Sequence, residues 1–492
     1  MSRSPGAGGA RRIEGMLITA PGGTRLKGSD EARLLRRVEA AVRRARAGGG
    51  EALASLTVPV EGIDPSAAVF ASRRPGEPFF CFEQPDRDGS ALATLGCVRE
   101  IVATGPERFA RVAAAWRRLA AGAATDSAVE GPPGSGLVAV GGFAFAPGGG
   151  TSPVWSGFPP GALWVPELSL ARRGRDIRLT LVARATPDDE PQELVALLEQ
   201  RLGELRSESL PLLDPSPAGR YQVRSTLPPG HYESAITRAT ERIDAGEIDK
   251  VVLAREVRVL APVPHDPAAV FGVLRDAFPS CYVGCAGRGD ATFLTASPEL
   301  LIRREGQRAS TVALAGSTRR SADPAVDDHL GERLMRSEKD REEQAIVARR
   351  IQRILKPHSI WVTAPEEPSV VRIANIQHLA TPVRAQLHRP IGALDLAGLM
   401  HPTPAVGGEP RERAERLIPE LEALDRGWYA GPLGWTDASE DGEFCVALRC
   451  ALLRGAEAHC YAGVGVVRDS DPAAELAETE IKLEALLPIL AQ

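Results

Sequence analysis

The sequence predicts an α+β protein, and three observations carry that reading. Strand-like and helix-like stretches alternate irregularly from end to end. No segment recurs at a period of roughly 20–50 residues, as a solenoid or propeller would require. The longest apolar runs are of strand length, too short to span a bilayer. With 492 residues, 43% of them hydrophobic and 25% charged, the composition is that of a globular protein with a large core. Length alone is compatible with two or three domains or with one large mixed fold. A net charge of -5 offers no basic face to displace counterions from nucleic acid, which leaves small-molecule chemistry as the expected activity. Residues 1–12 are rich in Gly, Ala and Arg and lack the apolar stretch of a secretory signal, so a cytoplasmic protein with a disordered tail over residues 1–15 is expected. The seven cysteines are odd in number and sit mostly in apolar runs such as Phe79-Phe80-Cys81-Phe82, as reduced core thiols do. Cys281 and Cys285 lack the flanking Cys/His pair of a zinc site.

In chain order, residues 79–83, 137–145 and 177–184 read as strands, and Phe109, Val112, Trp116 and Leu119 recur at helical spacing as one buried stripe. The Ala-, Gly- and Pro-rich stretch 121–136 reads as a surface loop, and 207–229, with five prolines, as a linker. The functional boundary is placed there, giving an N-terminal region over 16–226 and a catalytic region over 227–492. Beyond it, Tyr232, Ile236, Ala239 and Ile243 mark an amphipathic helix stopped at Gly246, followed by an apolar strand that Lys250 opens. One long helix is expected over 324–355, and another opens at Asp471-Pro472, where Asp caps and Pro suits the first turn. Between them residues 443–453 alternate as one strand, leaving Arg449 on a face of small side chains.

Residue types alone nominate few chemical groups. Lys250 could be a desolvated general base or a strand-end lysine reaching solvent. Glu343 could face inward beside Ile346 and Val347 or be one more solvated acid in a charged run. Glu478 and Lys482, four apart on a helix, read by default as a surface ion pair.

Taken together, the local sequences carry more. Asp249-Lys-Val-Val-Leu-Ala-Arg255, Ser297-Pro-Glu-Leu-Leu301, Leu314-Ala-Gly-Ser317, Ser337-Glu-Lys-Asp-Arg341, His378-Leu-Ala-Thr381, His401-Pro-Thr-Pro-Ala405, Leu448-Arg-Cys450, Tyr461-Ala-Gly-Val-Gly465 and Glu478-Thr-Glu-Ile-Lys482 follow one another in the order found in chorismate-utilising enzymes. The chain resembles that family over about residues 232–487. The resemblance implies a fold of two large antiparallel sheets packed as a sandwich and enclosed by helices, to which the N-terminal region contributes, so that the linker becomes a loop within one body.

It also implies roles. Lys250 resembles the lysine with which isochorismate and salicylate synthases activate water. Ala315 stands where the aminodeoxychorismate branch carries a nucleophilic lysine, and no glutamine amidotransferase domain is visible. The implied reaction is addition of water at C2 of chorismate with loss of the C4 hydroxyl, giving isochorismate. Glu299 resembles the general acid, which burial must hold neutral. Glu343 and Glu478 resemble ligands of a Mg²⁺ cofactor, with Glu475 a further carboxylate near the metal. Arg449 resembles the group that grips the enolpyruvyl carboxylate. His378 and Lys482 resemble the lining of the ring-carboxylate end, and Gly316, Ser317 and Gly463 bring backbone close to the substrate. Salicylate synthase is the alternative within the family, and a non-catalytic chorismate-binding paralogue the alternative outside catalysis. The Leu314–Ser317 and 403–407 segments favour isochorismate synthase. Gly141-Gly-Phe-Ala-Phe145 and Trp155-Ser-Gly-Phe158 resemble the longer isochorismate synthases, favouring menaquinone over siderophore synthesis. No membrane partner is expected, and a monomer is the default.

Overall fold

The computed structural model describes residues 16–17, 25–126, 129–214, 219–373 and 375–491, so the expected tail over residues 1–15 lies outside the described residues. Two large sheets, of 13 and 10 strands among the described residues, pack as an α+β sandwich with helices around them. Among the described strands pairing is antiparallel except between Met16–Leu17 and Ala52–Glu61, and one isolated parallel bridge joins Ala54 to Ala124.

Neither sheet belongs to one half of the chain. In the larger, Phe79–Gln84 pairs with Tyr282–Arg288, setting Cys81 opposite Cys285. In the smaller, Val138–Phe143 pairs with Pro432–Asp437, setting Gly141 opposite Gly434. Both seams are tight. A Cβ at Gly287 would fall 1.8 Å from the ring of Phe79, and one at Gly142 would fall 2.7 Å from the ring of Trp428 and 3.0 Å from the carbonyl oxygen of Pro432. One core cluster runs from Phe80, Trp116 and Trp164 through Leu253 and Phe293 to Trp428, all buried. The seven cysteines are free and six are buried, five of them in strands of these sheets. Within the expected linker, Gln222–Ser225 forms an edge strand paired with Lys250–Leu260, while residues 215–218 lie outside the described set.

The N-terminal strands lie within a residue or two of expectation at Phe79–Gln84, Val138–Phe143 and Asp176–Ala185, and the Phe109/Trp116 stripe is the buried face of the helix Arg108–Ala121. Two expected elements are broken. The helix expected over 324–355 is two helices, Pro324–Arg336 and Glu338–Leu355, because Ser337 is extended (φ -67°, ψ 116°) and its hydroxyl accepts the amide of Asp340 as the N-cap of the second. The strand expected over 443–453 is also two. Gly442–Val446 lies in the smaller sheet and Cys450–Arg454 in the larger. The apolar alternation persists through the crossing because both sheets bury it, which hid the break.

Candidate active site

That crossing places Arg449. It stands between the two sheets at φ 47°, a left-handed conformation that a non-glycine residue adopts only where surrounding structure holds it. Glu299 stands at a second crossing, between Ala291–Ser297 in the larger sheet and Leu300–Glu305 in the smaller. The two crossings are tied together: the amide of Ala296 donates to the carbonyl of Arg449 (3.0 Å) and that of Val446 to the carbonyl of Glu299 (3.0 Å). Residues 150 apart in sequence thus meet where the chain twice changes sheets.

Glu299 is 3% exposed. Burial pushes its carboxyl up to about 8, against the opposing pull of Lys250, Arg449 and the Thr403 hydroxyl, so it is protonated at neutral pH. Lys250 opens the strand Lys250–Leu260 with no exposed surface, and its Nζ lies 2.8 Å from Oε1 of Glu343 on the helix Glu338–Leu355. The other oxygen of Glu343 accepts the amide of Gly316 (3.2 Å). Gly465 makes this pair possible, since a Cβ there would fall 2.1 Å from Glu343 Oε1 and 2.9 Å from Lys250 Cε.

The second carboxylate comes from the helix Pro472–Leu483, capped by Asp471 as expected. Glu478 Oε1 lies 2.7 Å from Lys482 Nζ and accepts the Ser317 hydroxyl, while Lys482 also donates to the carbonyl of Gly463 (2.9 Å). Burial alone would push Glu478 up, but Lys482, Ser317 and Lys339 outweigh it and bring the carboxyl down to about 2, so it is ionised. The pair expected on the surface is therefore half-buried, on the wall of the site.

His378 is positioned by two partners. Arginine can only donate, so the 2.9 Å contact between Arg449 and Nε2 makes Nε2 the acceptor, and Nδ1–H donates to the carbonyl of Gly316 (3.0 Å). Burial, with the charges of Arg449 and Lys482, lowers the imidazole to about 3 and keeps it neutral.

Every predicted site residue except Lys250 and Glu475 lines one cavity of about 630 Å³, which Ala315 also lines. Lys250 lies behind Glu343 rather than on the wall. Glu475 is buried, paired with Lys339 at 2.5 Å, and pushed up by burial and by Glu478. Each of the three glutamates therefore has its own lysine. No group of three or more His, Cys, Asp or Glu side chains able to hold a metal occurs among the described residues. What the cavity offers a cation is two carboxylates, Glu343 and Glu478, and hard oxygen donors of that kind suit an ion that keeps waters and takes further oxygens from a substrate.

Thr403, Lys339, Tyr461 and Tyr429 escaped prediction. Three of them lie inside the segments quoted above, where Thr403 is a polar residue between two prolines and Lys339 a cation between two acids. Tyr429 carries no local signal and is brought to the cavity by the fold alone.

No helix among the described residues is long and apolar enough to cross a membrane. The model of the family described as "Chorismate binding enzyme" matches residues 39–491. The chain is 36% identical to the "Salicylate biosynthesis isochorismate synthase" of Pseudomonas aeruginosa, over 92% of this chain and 93% of that protein. It is 32% identical to "Isochorismate synthase MenF" of Bacillus subtilis, over 89% and 93%. Among solved structures, the menaquinone-specific isochorismate synthase MenF of Escherichia coli superposes with a TM-score of 0.75 at 26% identity, covering 94% of this chain and 99% of that one. Anthranilate synthase component I of Streptococcus pneumoniae shares the fold, with a TM-score of 0.59 at 23% identity. Fold, cavity and full-length similarity agree that this chain belongs to the chorismate-binding enzyme family.

Proposed function

We propose that the protein is an isochorismate synthase that isomerises chorismate. One observation carries the reading: Glu299, a carboxyl held neutral, lines the cavity, and the fully buried Lys250 stands immediately behind its wall, paired with Glu343. Ala315 on the cavity wall supports it, since this position presents no amine to the ring.

In the reaction, water adds at C2 and the ring double bonds shift as the C4–O bond breaks. Lys250 takes the proton from the water and Glu299 gives one to the departing hydroxyl. The C2–O bond formed replaces the C4–O bond lost, the enolpyruvyl ether stays intact, and the net change is isomerisation. Arg449, a planar fork fixed by His378, holds one substrate carboxylate, and Lys482 with the backbone at Gly316 and Gly463 faces the other. Glu343 and Glu478 would hold Mg²⁺, which when bound supplies charge to anchor the ring carboxylate and withdraw density from C2. Relatives named for salicylate and menaquinone synthesis both match over most of the chain. The resemblance of the N-terminal region to the longer synthases supports menaquinone supply; a cytoplasmic location and a monomeric state are the default part of the proposal.

Incubation with chorismate and Mg²⁺, followed by chromatography, tests the assignment. Isochorismate without pyruvate is expected. Salicylate plus pyruvate with no helper enzyme would convert the assignment to salicylate synthase, and unchanged chorismate would leave a binding paralogue.

A further inference from the structure

Arg449 is held at both ends. Its guanidinium meets Nε2 of His378, and its backbone is fixed by two consecutive residues of the strand Ala291–Ser297. The ladder between that strand and Cys450–Arg454 ends with Thr295 opposite Cys450. Past that point both chains cross to the smaller sheet, and side chains take over from the ladder. The Thr295 hydroxyl donates to the carbonyl of Leu448 (2.5 Å), and the Ser297 hydroxyl donates to that of Val446. Thr295 and Ser297 are both fully buried.

The Leu448 carbonyl belongs to the peptide plane before the Arg449 Cα. The Arg449 carbonyl, which accepts the amide of Ala296 (3.0 Å), belongs to the plane after it. Peptide units are rigid, so anchoring both planes fixes the two soft torsions between them. Those torsions put Arg449 at φ 47°, where a residue with a Cβ stays only under constraint. Once released, the residue would relax toward ordinary torsions and swing its guanidinium away from the cavity. Thr295 is itself locked. Its methyl fills the space left by Gly284 on the neighbouring strand, where a Cβ would fall 2.9 Å from Thr295 Cγ2. A β-branched side chain with its methyl seated in this way keeps one χ1, and that rotamer aims the hydroxyl at Leu448. Ser297 makes the same kind of bond between the same two segments, but its oxygen also accepts the amide of Glu299 (3.2 Å), so it serves the other crossing.

We propose that Thr295 is a positioning residue for substrate binding: its hydroxyl holds Arg449 in the left-handed conformation from which the guanidinium reaches a substrate carboxylate. This rests on the reading of the cavity as a chorismate site and deepens it.

Calorimetric titration of the full chain with chorismate and Mg²⁺ tests it, in a Glu299→Gln background that turns substrate over too slowly to disturb the measurement. Thr295→Val, which keeps the shape and loses the hydroxyl, should weaken chorismate binding at least tenfold. Thr295→Ser, which keeps the hydroxyl, should stay within threefold. Ser297→Ala deletes a hydroxyl–carbonyl bond between the same segments and should stay within twofold, whereas a purely structural role would make it behave like Thr295→Val. In Arg449→Gln, adding Thr295→Val should cost no more than a further twofold, because the group it positions is gone. Should Thr295→Val fail to fold, Thr295→Ala takes its place, and failure of both would overturn the proposal by making the hydroxyl a condition of folding. An affinity unchanged by Thr295→Val, an equal loss in Ser297→Ala, or a tenfold loss that persists in Arg449→Gln would overturn it while leaving the proposed function intact. A Glu299→Gln chain that does not bind chorismate at all would overturn the proposed function, and this proposal with it.

Discussion

Glu299 and Lys250 can be tested separately because burial acts on them in different ways. The Glu299 carboxyl is raised to about 8 chiefly by desolvation, so it can donate a proton below that pH and not above it. Turnover is expected to fall as pH rises through about 8, and Glu299→Gln, which cannot donate, should lose activity by ~100-fold or more at every pH, removing that limb from a steady-state pH profile. The same shift bears on stability with a definite sign. Below the unfolded value of 4.5 both states are protonated; above it the unfolded chain ionises first, so the contribution is full at low pH and is lost as pH rises toward 8. Glu299→Gln should therefore show a smaller fall in urea midpoint between pH 5 and 8 than the unmodified protein. Lys250 is different: removing it leaves the largely buried Glu343 carboxylate without its cation. Lys250→Gln, which retains a hydrogen-bond donor, is the informative variant. It should lose ~100-fold or more in kcat while keeping its circular dichroism spectrum, and near-normal turnover in it would remove the proposed base. These two residues and their roles were suggested by segment resemblance, whereas residue type alone could not separate Lys250 from a solvent-reaching lysine. Periodicity shows which way a strand faces, but not whether a strand end is covered, and here the cover comes from a helix about ninety residues downstream.

At the scale of elements, the site is built from ends and crossings rather than from the middles of helices and strands. Those were also the features least legible in sequence. The apolar pattern through 443–453 stays unbroken although the chain leaves one sheet for the other, because both neighbouring environments are interior. The long helix over 324–355 hid its break for another reason: its helix-favouring residues continue across Ser337, and only the cap interaction shows that a new helix starts there. Ser337 is two turns upstream of Glu343, so it fixes where that helix begins and hence where the carboxylate points. Ser337→Ala should cost about 1 kcal/mol in urea denaturation, with the m-value unchanged. Gly465 belongs to the same scale. Its strand passes so close to the Lys250–Glu343 pair that a methyl group would sit 2.1 Å from the carboxylate oxygen. Gly465→Ala must displace one partner or the strand, and a loss of turnover of ~100-fold or more with a modest loss of stability is expected in paired kinetic and thermal measurements. An alanine variant of full activity would show that the pair has no part in catalysis.

The whole molecule explains why so large an N-terminal region accompanies catalytic residues that all lie after residue 249. Proline content alone makes 207–229 look like a linker between separable units, yet a strand within it joins the larger sheet, and both sheets draw on both sides of it. Sequence patterns reveal strands but not their neighbours, and the pairing of Phe79–Gln84 with Tyr282–Arg288 spans about two hundred residues without a local trace. The physical consequence concerns the catalytic region on its own. Without residues 16–226, Tyr282–Arg288 and Pro432–Asp437 would each become a long edge strand with unpaired backbone groups. Trp428, 1% exposed and packed edge-on against Phe158 at 5.0 Å, would lose one wall of its pocket, and the next residue in the chain, Tyr429, lines the substrate cavity. A fragment spanning 227–492 should therefore aggregate, or remain soluble without turnover, while the full chain should unfold in urea as one cooperative transition followed equally by tryptophan fluorescence and by loss of activity. Two resolved transitions, or a fragment that converts chorismate at the rate of the full chain, would show that the seams at Cys81/Cys285 and Gly141/Gly434 are contacts between independent domains rather than the interior of one body.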